Sequence, residues 1–252
     1  MNSAPIQLNE WLVVVPARIG STRLPRKPLA DLAGKPLIAR VYENLLPLRD
    51  LGAELVVATD DQEVLATCKD LGFRAQMTRA DHPSGTDRCA EVALSSERKL
   101  ILNVQGDEPF VVTDDLLRLM ASFQHQSWAE IGTLVFPSRD FASFMRPNVV
   151  KAVLRNGSEA IYFSRSPIPH MTQEAFGNGF FYHHIGVYCF RRPALLSFCK
   201  LPVSRLELTE KLEQLRAIEN SMRILAIEAS RLTHGIDTPE DLEAARARYQ
   251  DA

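Results

Sequence analysis

With 252 residues, 46% of them hydrophobic, the chain can bury one large core or two modest ones, which excludes a disordered or fibrous protein. Its 29 basic and 31 acidic residues nearly cancel, to a formal charge of -2, so no broad field exists for gripping a nucleic acid or an anionic membrane. Any anion site has to be local. The early apolar run from Trp11 to Val15 is far short of the ~20 residues that span a bilayer, and no basic segment precedes it, so a cytoplasmic protein is expected. Cys68, Cys89, Cys189 and Cys199 form no CxxC pair and sit among apolar neighbours, which favours structural thiols over zinc ligands.

In chain order, the β-rich run Trp11 to Val15 predicts a buried strand, and apolar residues at helical spacing predict a helix from Leu37 to Leu48. A strand at Leu55 to Ala58, a helix at Gln62 to Leu71, a strand at Phe73 to Met77, a helix at Thr86 to Leu94 and a strand at Leu100 to Val104 follow. Strand and helix in alternation imply an α/β fold with a mostly parallel sheet, whose ligands bind beyond the carboxyl ends of the strands. After a helix at Thr113 to Phe123 the order changes. A strand at Gly132 to Phe136 leads to two antiparallel strands, Val149 to Leu154 and Ala160 to Phe163, around the turn residues Asn156 and Gly157. Pro167 to Gly179 reads as a mobile or substrate-covering loop. Tyr182 to Phe190 is a strand, Leu208 to Asn220 a helix and Arg223 to Ile227 a strand, and the closing helix Pro239 to Tyr249 has Thr238 as its N-cap. The whole is expected to be one domain, 1–252, with an insertion at about 131–205.

The segment after the first strand, PARIGSTRLPRKP, places Arg18, Arg23, Arg26 and Lys27 within ten residues, with Gly20, Ser21 and Thr22 between them. Guanidinium forks, a lysine point charge, hydroxyls and exposed backbone N–H groups together suit a triphosphate. Neither the GxGxxG nor the GxxxxGK[ST] fingerprint is present, and a solvated basic loop is the competing reading. Further on, Gly106 allows a sharp turn at the end of a buried strand, so that Asp107 can project into a cleft. Asp237 stands just before the last helix. For both aspartates a helix-capping role competes with metal binding.

The segment PARIGSTRLPRKPLADLAGKPLI resembles the signature of sugar nucleotidyltransferases, and most nearly that of the Kdo (3-deoxy-D-manno-octulosonate) cytidylyltransferases. VVATDDQEV, MTRADHPSGTDRCAEV, ILNVQGDEPF, AIYFSRSPIP, HHIGVYCFRR, LTEKLEQLRAIENSMRI and HGIDTPEDLEAARA resemble the same family's blocks in the same order, and together they cover Leu12 to Arg248. The resemblance implies a Rossmann-like nucleotidyltransferase fold with an inserted antiparallel sugar-binding part that also supports a homodimer. The implied reaction transfers CMP from CTP to Kdo, giving CMP-Kdo and pyrophosphate for lipopolysaccharide biosynthesis.

By position in the blocks, Arg18, Ser21, Thr22, Arg23 and Lys27 would hold the CTP phosphates. Arg79, Ser84, Gly85 and Thr86, with Gln105, would surround cytosine and ribose, although Arg79 taken alone reads as a surface cation. Asp107 and Asp237 would hold Mg²⁺, a hard cation that prefers carboxylates together with substrate phosphates, and Arg18 and Lys27 would join them in catalysis. Arg165 could grip the sugar carboxylate as a guanidinium fork. His184 and Tyr188, four apart in a strand, would face one side as a sugar-binding wall, and Glu213 and Gln214 would bond the hydroxyls. The alternatives for these are a satisfied core histidine and pairing of Glu213 with Lys211 or Arg216. Three positions depart from the family pattern: Arg26 stands where glycine is usual, His170 in place of tryptophan and His183 in place of arginine. The last two, near the sugar part, leave open a cytidylyltransferase for a Kdo analogue, and another sugar acid such as sialic acid is the further alternative acceptor. A catalytically silent nucleotide-binding scaffold is the alternative from a different class.

Overall fold

Seven consecutive apolar residues, Trp11–Ala17, form strand β1, and every one is buried. A strand with no polar face must be covered on both sides, as happens in a parallel sheet sandwiched by helices. The computed structural model describes residues 8–21, 23–177 and 179–250. They fall into two units, one running to Thr113 and resuming at Thr233, the other Asp114–Leu232. The second takes in the 131–205 stretch expected as an insertion and extends on either side of it.

In the first unit β1 is followed by a small ribbon, β2 (Asp31–Leu32) and β3 (Lys35–Pro36), and helix α1 (Leu37–Asp50). Strand β4 (Glu54–Thr59), helix α2 (Gln62–Asp70), strand β5 (Ala75–Met77), helix α3 (Gly85–Leu94) and strand β6 (Leu100–Asn103) come next. The strands pair in parallel in the order β5-β4-β1-β6. All the carboxyl ends therefore lie along one edge, where the loops after β1 and β6 emerge as neighbours. Helix starts are fixed by side-chain caps: Asp61 accepts from the Glu63 and Val64 amides at 2.9 and 3.0 Å, and Ser84 from the Asp87 amide at 3.2 Å.

The second unit comprises α4 (Thr113–His125), β7 (Ile131–Ser138), α5 (Phe141–Met145), β8 (Lys151–Arg155), β9 (Glu159–Ser164) and α6 (Gln173–Phe176). It continues through β10 (Phe181–Arg191), α7 (Arg192–Phe198), α8 (Arg205–Glu210), α9 (Gln214–Glu219) and β11 (Ile224–Glu228). Its strands run β10-β7-β11-β9-β8, and β8 pairs again with β10, so the five close on themselves. Only β7 and β11 are parallel. Asn156 and Gly157 both take positive φ, 51° and 70°, which makes the β8–β9 turn the type that matches strand twist. The chain ends in α10 (Pro239–Gln250), which belongs to the first unit.

Two expectations are corrected. The helix expected over Leu208 to Asn220 is two short helices, α8 and α9, because Lys211 is left-handed at φ 56°. The Arg165 guanidinium donates to the Glu210 and Lys211 carbonyls at 2.8 and 3.3 Å, supplying partners that a continuous helix would have provided. The loop from Pro167 to Gly179 carries helix α6, and its Phe176 is buried against Phe144, Val149 and Phe181, which anchors the segment. Helical periodicity reports neither a remote donor nor a single aromatic anchor.

Candidate active site

At the carboxyl edge of the first unit's sheet lies a cleft of about 550 Å³. Arg18, Gly20, Ser21, Arg23 and Lys27 from the loop after β1 line it, with Ser84 and Gly85 at the start of α3, Gln105 to Asp107 after β6, and Asp237 before α10. Thr22, expected at the phosphates, lies outside the described residues. The loops meet closely at Gly106, where a Cβ would fall 2.6 Å from the Pro16 carbonyl oxygen, so only glycine lets β6 turn against β1 there. At Gly85 a Cβ would come within 3.2 Å of the Pro16 ring and 3.3 Å of the Gln105 amide oxygen. That crowding keeps the floor of the cleft bare.

The charged groups converge on one point. The Lys27 ammonium is 2.5 Å from Asp107 Oδ2 and 2.8 Å from Asp237 Oδ1, and Arg23 reaches Asp237 Oδ2 at 3.0 Å. Burial lowers the Lys27 pKa, but the Asp107 and Asp237 carboxylates outweigh it and hold the ammonium above its ordinary value. The capping alternative for Asp237 is answered by its neighbour. Thr238 Oγ1 accepts from the Asp241 amide at 3.2 Å while the Asp241 carboxylate accepts from the Asp237 and Thr238 amides at 3.0 and 2.9 Å. The start of α10 is thereby capped without the Asp237 side chain, which points to Lys27 and Arg23 instead.

Asp107 and Asp237 both lie against the one Lys27 ammonium, and hard carboxylate oxygens of this kind suit Mg²⁺. Among the described residues no cluster of three or more His, Cys, Asp or Glu forms a fuller cage. Such sparseness is what Mg²⁺ accepts when waters and phosphates complete its shell.

Sequence reasoning passed over Glu108. Burial, and then the negative charges of Asp107 and Asp237, push its carboxyl up to about 8, so it is mainly protonated at neutral pH. Its adjacency to Asp107 was the available signal. Arg88 was also passed over: it lines the cleft yet is only 3% exposed, donating to Asp60 at 2.8 Å, to the Arg79 carbonyl at 3.2 Å and to the Thr78 hydroxyl. His82, bonded to Glu91, lines the cleft as well.

Two expected nucleotide contacts are placed differently. The Arg79 guanidinium is exposed and forks onto Asp81 at 2.9 and 2.5 Å, and it does not line the cleft. Thr86, in the first turn of α3, is buried, and its hydroxyl accepts from Asn103 at 3.5 Å. Gln105, in turn, donates to Asn103 at 3.2 Å and stays at the cleft wall. Arg26 sits at φ 56° and ψ 31°, in the left-handed region that glycine reaches freely, at a cost of ~1–2 kcal/mol.

The remaining expected residues all belong to the second unit. Arg165 is held rather than loose: besides Glu210 and Lys211 it donates to the Pro147 carbonyl at 3.1 Å, and its own carbonyl accepts from the buried Lys151. Its five N–H donors leave two over, one on each terminal nitrogen. His184 and Tyr188 do come together, with ring centroids 5.5 Å apart. In a regular strand residues four apart are separated by ~13 Å. Here β10 bulges between Ile185 and Tyr188, so that His184 faces Val135 and Tyr188 faces Thr133, only two residues apart on β7. Burial lowers the His184 imidazole to about 3, with His183 adding to the shift, and the ring is neutral at working pH. Burial and then the Glu213 charge push the Tyr188 phenol well up, which puts Glu213 near the same pair. Gln214 is buried at the start of α9, and Arg216 is gripped by Glu207 at 2.8 and 2.6 Å.

Comparison with known proteins identifies the family. The family described as cytidylyltransferase matches residues 12–224. A 3-deoxy-manno-octulosonate cytidylyltransferase of Geobacter sulfurreducens is 44% identical over 239 residues, 91% of this chain and 95% of that protein. The protein of the same name from Trichlorobacter lovleyi is 42% identical, over 95% of this chain and 98% of its own. Among solved structures, a CMP:2-keto-3-deoxy-manno-octonic acid synthetase complexed with CTP superposes with a TM-score of 0.90 at 39% identity, covering 96% of this chain and 98% of that one.

Proposed function

The chain belongs to the cytidylyltransferase family, among its 3-deoxy-manno-octulosonate members, and from that premise we propose that it transfers CMP from CTP to Kdo and releases pyrophosphate. The observation that carries the reading is the meeting of Lys27 and Arg23 with Asp107 and Asp237 in one cleft, since a triphosphate needs cations and its counter-ion needs carboxylates at the same place.

The anomeric hydroxyl of Kdo attacks the α-phosphorus of CTP in line, the new P–O bond forms as the bond to pyrophosphate breaks, and no covalent enzyme intermediate is required. Arg18, Ser21 and Arg23 bind and orient the phosphates, and Arg18 and Lys27 neutralise charge appearing on the pyrophosphate. Asp107 and Asp237 would hold Mg²⁺, which would supply further neutralisation of the triphosphate charge. Ser84, Gly85 and Gln105 meet the base and ribose. Arg165 offers its two remaining donors to the sugar carboxylate, while His184, Tyr188, Glu213 and Gln214 sort the hydroxyls. The same reading carries a homodimer and a cytoplasmic setting. Among the described residues no helix is long and apolar enough to cross a membrane.

The test is direct. The protein is incubated with CTP labelled at the α-phosphorus, Mg²⁺ and either Kdo or sialic acid, and pyrophosphate release is followed. Release with Kdo alone supports the proposal. Release with sialic acid alone moves the acceptor to that acid, and no release with either leaves a nucleotide-binding scaffold. Sedimentation velocity checks the dimer.

A further inference from the structure

Thr133, in the middle of β7, is completely buried, and its hydroxyl has three polar neighbours. They are the Val187 carbonyl at 2.8 Å, the Ile185 carbonyl at 3.3 Å and His184 Nε2 at 2.9 Å. The bulge in β10 creates this cluster, because the register jumps from Ile185 to Tyr188 opposite adjacent residues of β7 and turns both carbonyls toward one side chain.

A hydroxyl has one proton to donate and lone pairs to accept with, whereas a carbonyl can only accept. The nearer carbonyl, Val187, takes the threonine proton. Were the proton aimed at His184 instead, the Thr133 and Val187 oxygens would face each other lone pair to lone pair at 2.8 Å in a dry interior. His184 Nε2, at 2.9 Å, must then be the donor. Burial holds this imidazole neutral, so it carries a single proton, and that proton is on Nε2. The ring cannot easily turn over, since Phe163 packs edge-on at 5.0 Å and Tyr188 at 5.5 Å. It is nevertheless not sealed, for His184 keeps 9% of its surface exposed.

We propose that Thr133 is a positioning residue that fixes His184 as the Nε2–H tautomer, leaving the Nδ1 lone pair to accept a hydrogen bond from a hydroxyl of the sugar acid. The proposal rests on the reading of His184 as a sugar contact, but the tautomer can be measured without substrate. A polyol presents hydroxyls that can donate or accept, and an imidazole locked as an acceptor selects the donating orientation of one of them. The site then recognises a hydroxyl by a group whose own direction is set by the strand behind it.

Long-range ¹H–¹⁵N spectra of the full-length protein at neutral pH give the tautomer, the His184 signals being those lost in His184→Phe. The expected result is a protonated Nε2 and an unprotonated Nδ1; a protonated Nδ1 overturns the proposal. Thr133→Val removes the hydroxyl at constant size and is expected to mix the tautomers and raise KM for the sugar acid about tenfold, with KM for CTP unchanged. Thr133→Ser keeps the hydroxyl and is expected to restore both. An unchanged tautomer and sugar KM in a folded Thr133→Val protein sink the idea, and if that variant does not fold, the wild-type spectrum and Thr133→Ser still decide it. A normal sugar KM in His184→Phe would remove the sugar contact while leaving the tautomer result standing, which separates the failure of that reading from failure of the positioning role.

Discussion

At the end of β1, Lys27 lies between two carboxylates at 2.5 and 2.8 Å, and Asp237 is 44% exposed. On β10, His184 is buried and neutral, and it bonds the hydroxyl of Thr133. The first region works with full charges that stay partly in water, where partners can be exchanged for phosphates at small desolvation cost. The second works with a neutral ring in a dry setting, where one hydroxyl proton decides which way the group can bond. The difference is one of electrostatic scale. On the proposed reading, charge recruits the nucleotide and the direction of neutral donors and acceptors reads the sugar.

The comparison breaks first at the charged end. Asp107→Asn is expected to leave CTP binding measurable by calorimetry while lowering turnover on the order of 10²–10³-fold, because an amide cannot replace the carboxylate beside Lys27. Near-normal turnover in that variant would refute the assigned role of Asp107.

Backbone crowding separates the regions next. Gly106→Ala drives a methyl onto the Pro16 carbonyl and is expected to lose about 1–3 kcal/mol of stability in urea unfolding. Gly186, in the β10 bulge, has open space where a Cβ would be placed, so Gly186→Ala should change stability by under about 0.5 kcal/mol.

A pH series sharpens the neutral end. His184 stays uncharged in the folded protein down to about 3, while the unfolded chain takes up a proton near the ordinary value of 6.5. Between those values the unfolded state binds more protons, so this residue's contribution to stability falls as pH falls, by up to about 1.4 kcal/mol per unit. The unfolding free energy of wild type minus that of His184→Gln, measured from pH 7.5 to 4.5, should therefore decline below about 6.5. A flat difference would contradict a buried neutral imidazole.

A small effect is also expected at Arg26. Glycine there relieves ~1–2 kcal/mol of left-handed strain but gives up an exposed ion pair with Glu63 and adds freedom to the unfolded chain. Arg26→Gly should shift stability by less than about 1 kcal/mol, with KM for CTP little changed.

The alternation of strand and helix through Asn103 was legible because both periods are written in the residues themselves: an apolar run buried on both faces, and apolar residues three and four apart. The cationic turn and the two aspartates were legible because each sits at the end of a strand or the start of a helix, where a side chain's direction follows from the element. Arg88 was not, since nothing in a one-dimensional pattern tells a buried, partnered charge from a solvated one. Arg79 and Thr86 were placed at the nucleotide by the motif they belong to, while in the fold Asp81 takes the one and Asn103 the other.

What the sequence determined by itself was therefore the order of elements and the presence, on successive loops, of the groups that can handle a triphosphate. Only the tertiary structure decided that Lys27, Asp107 and Asp237 meet at one point, that Asp241 joins Thr238 in capping the last helix and leaves Asp237 to the cleft, and that a bulge brings His184 and Tyr188 into contact. The reason is physical: propensity and periodicity act over a few residues, whereas these contacts join positions up to 210 apart, and register, burial and the sharing of one proton exist only once the distant strands have paired.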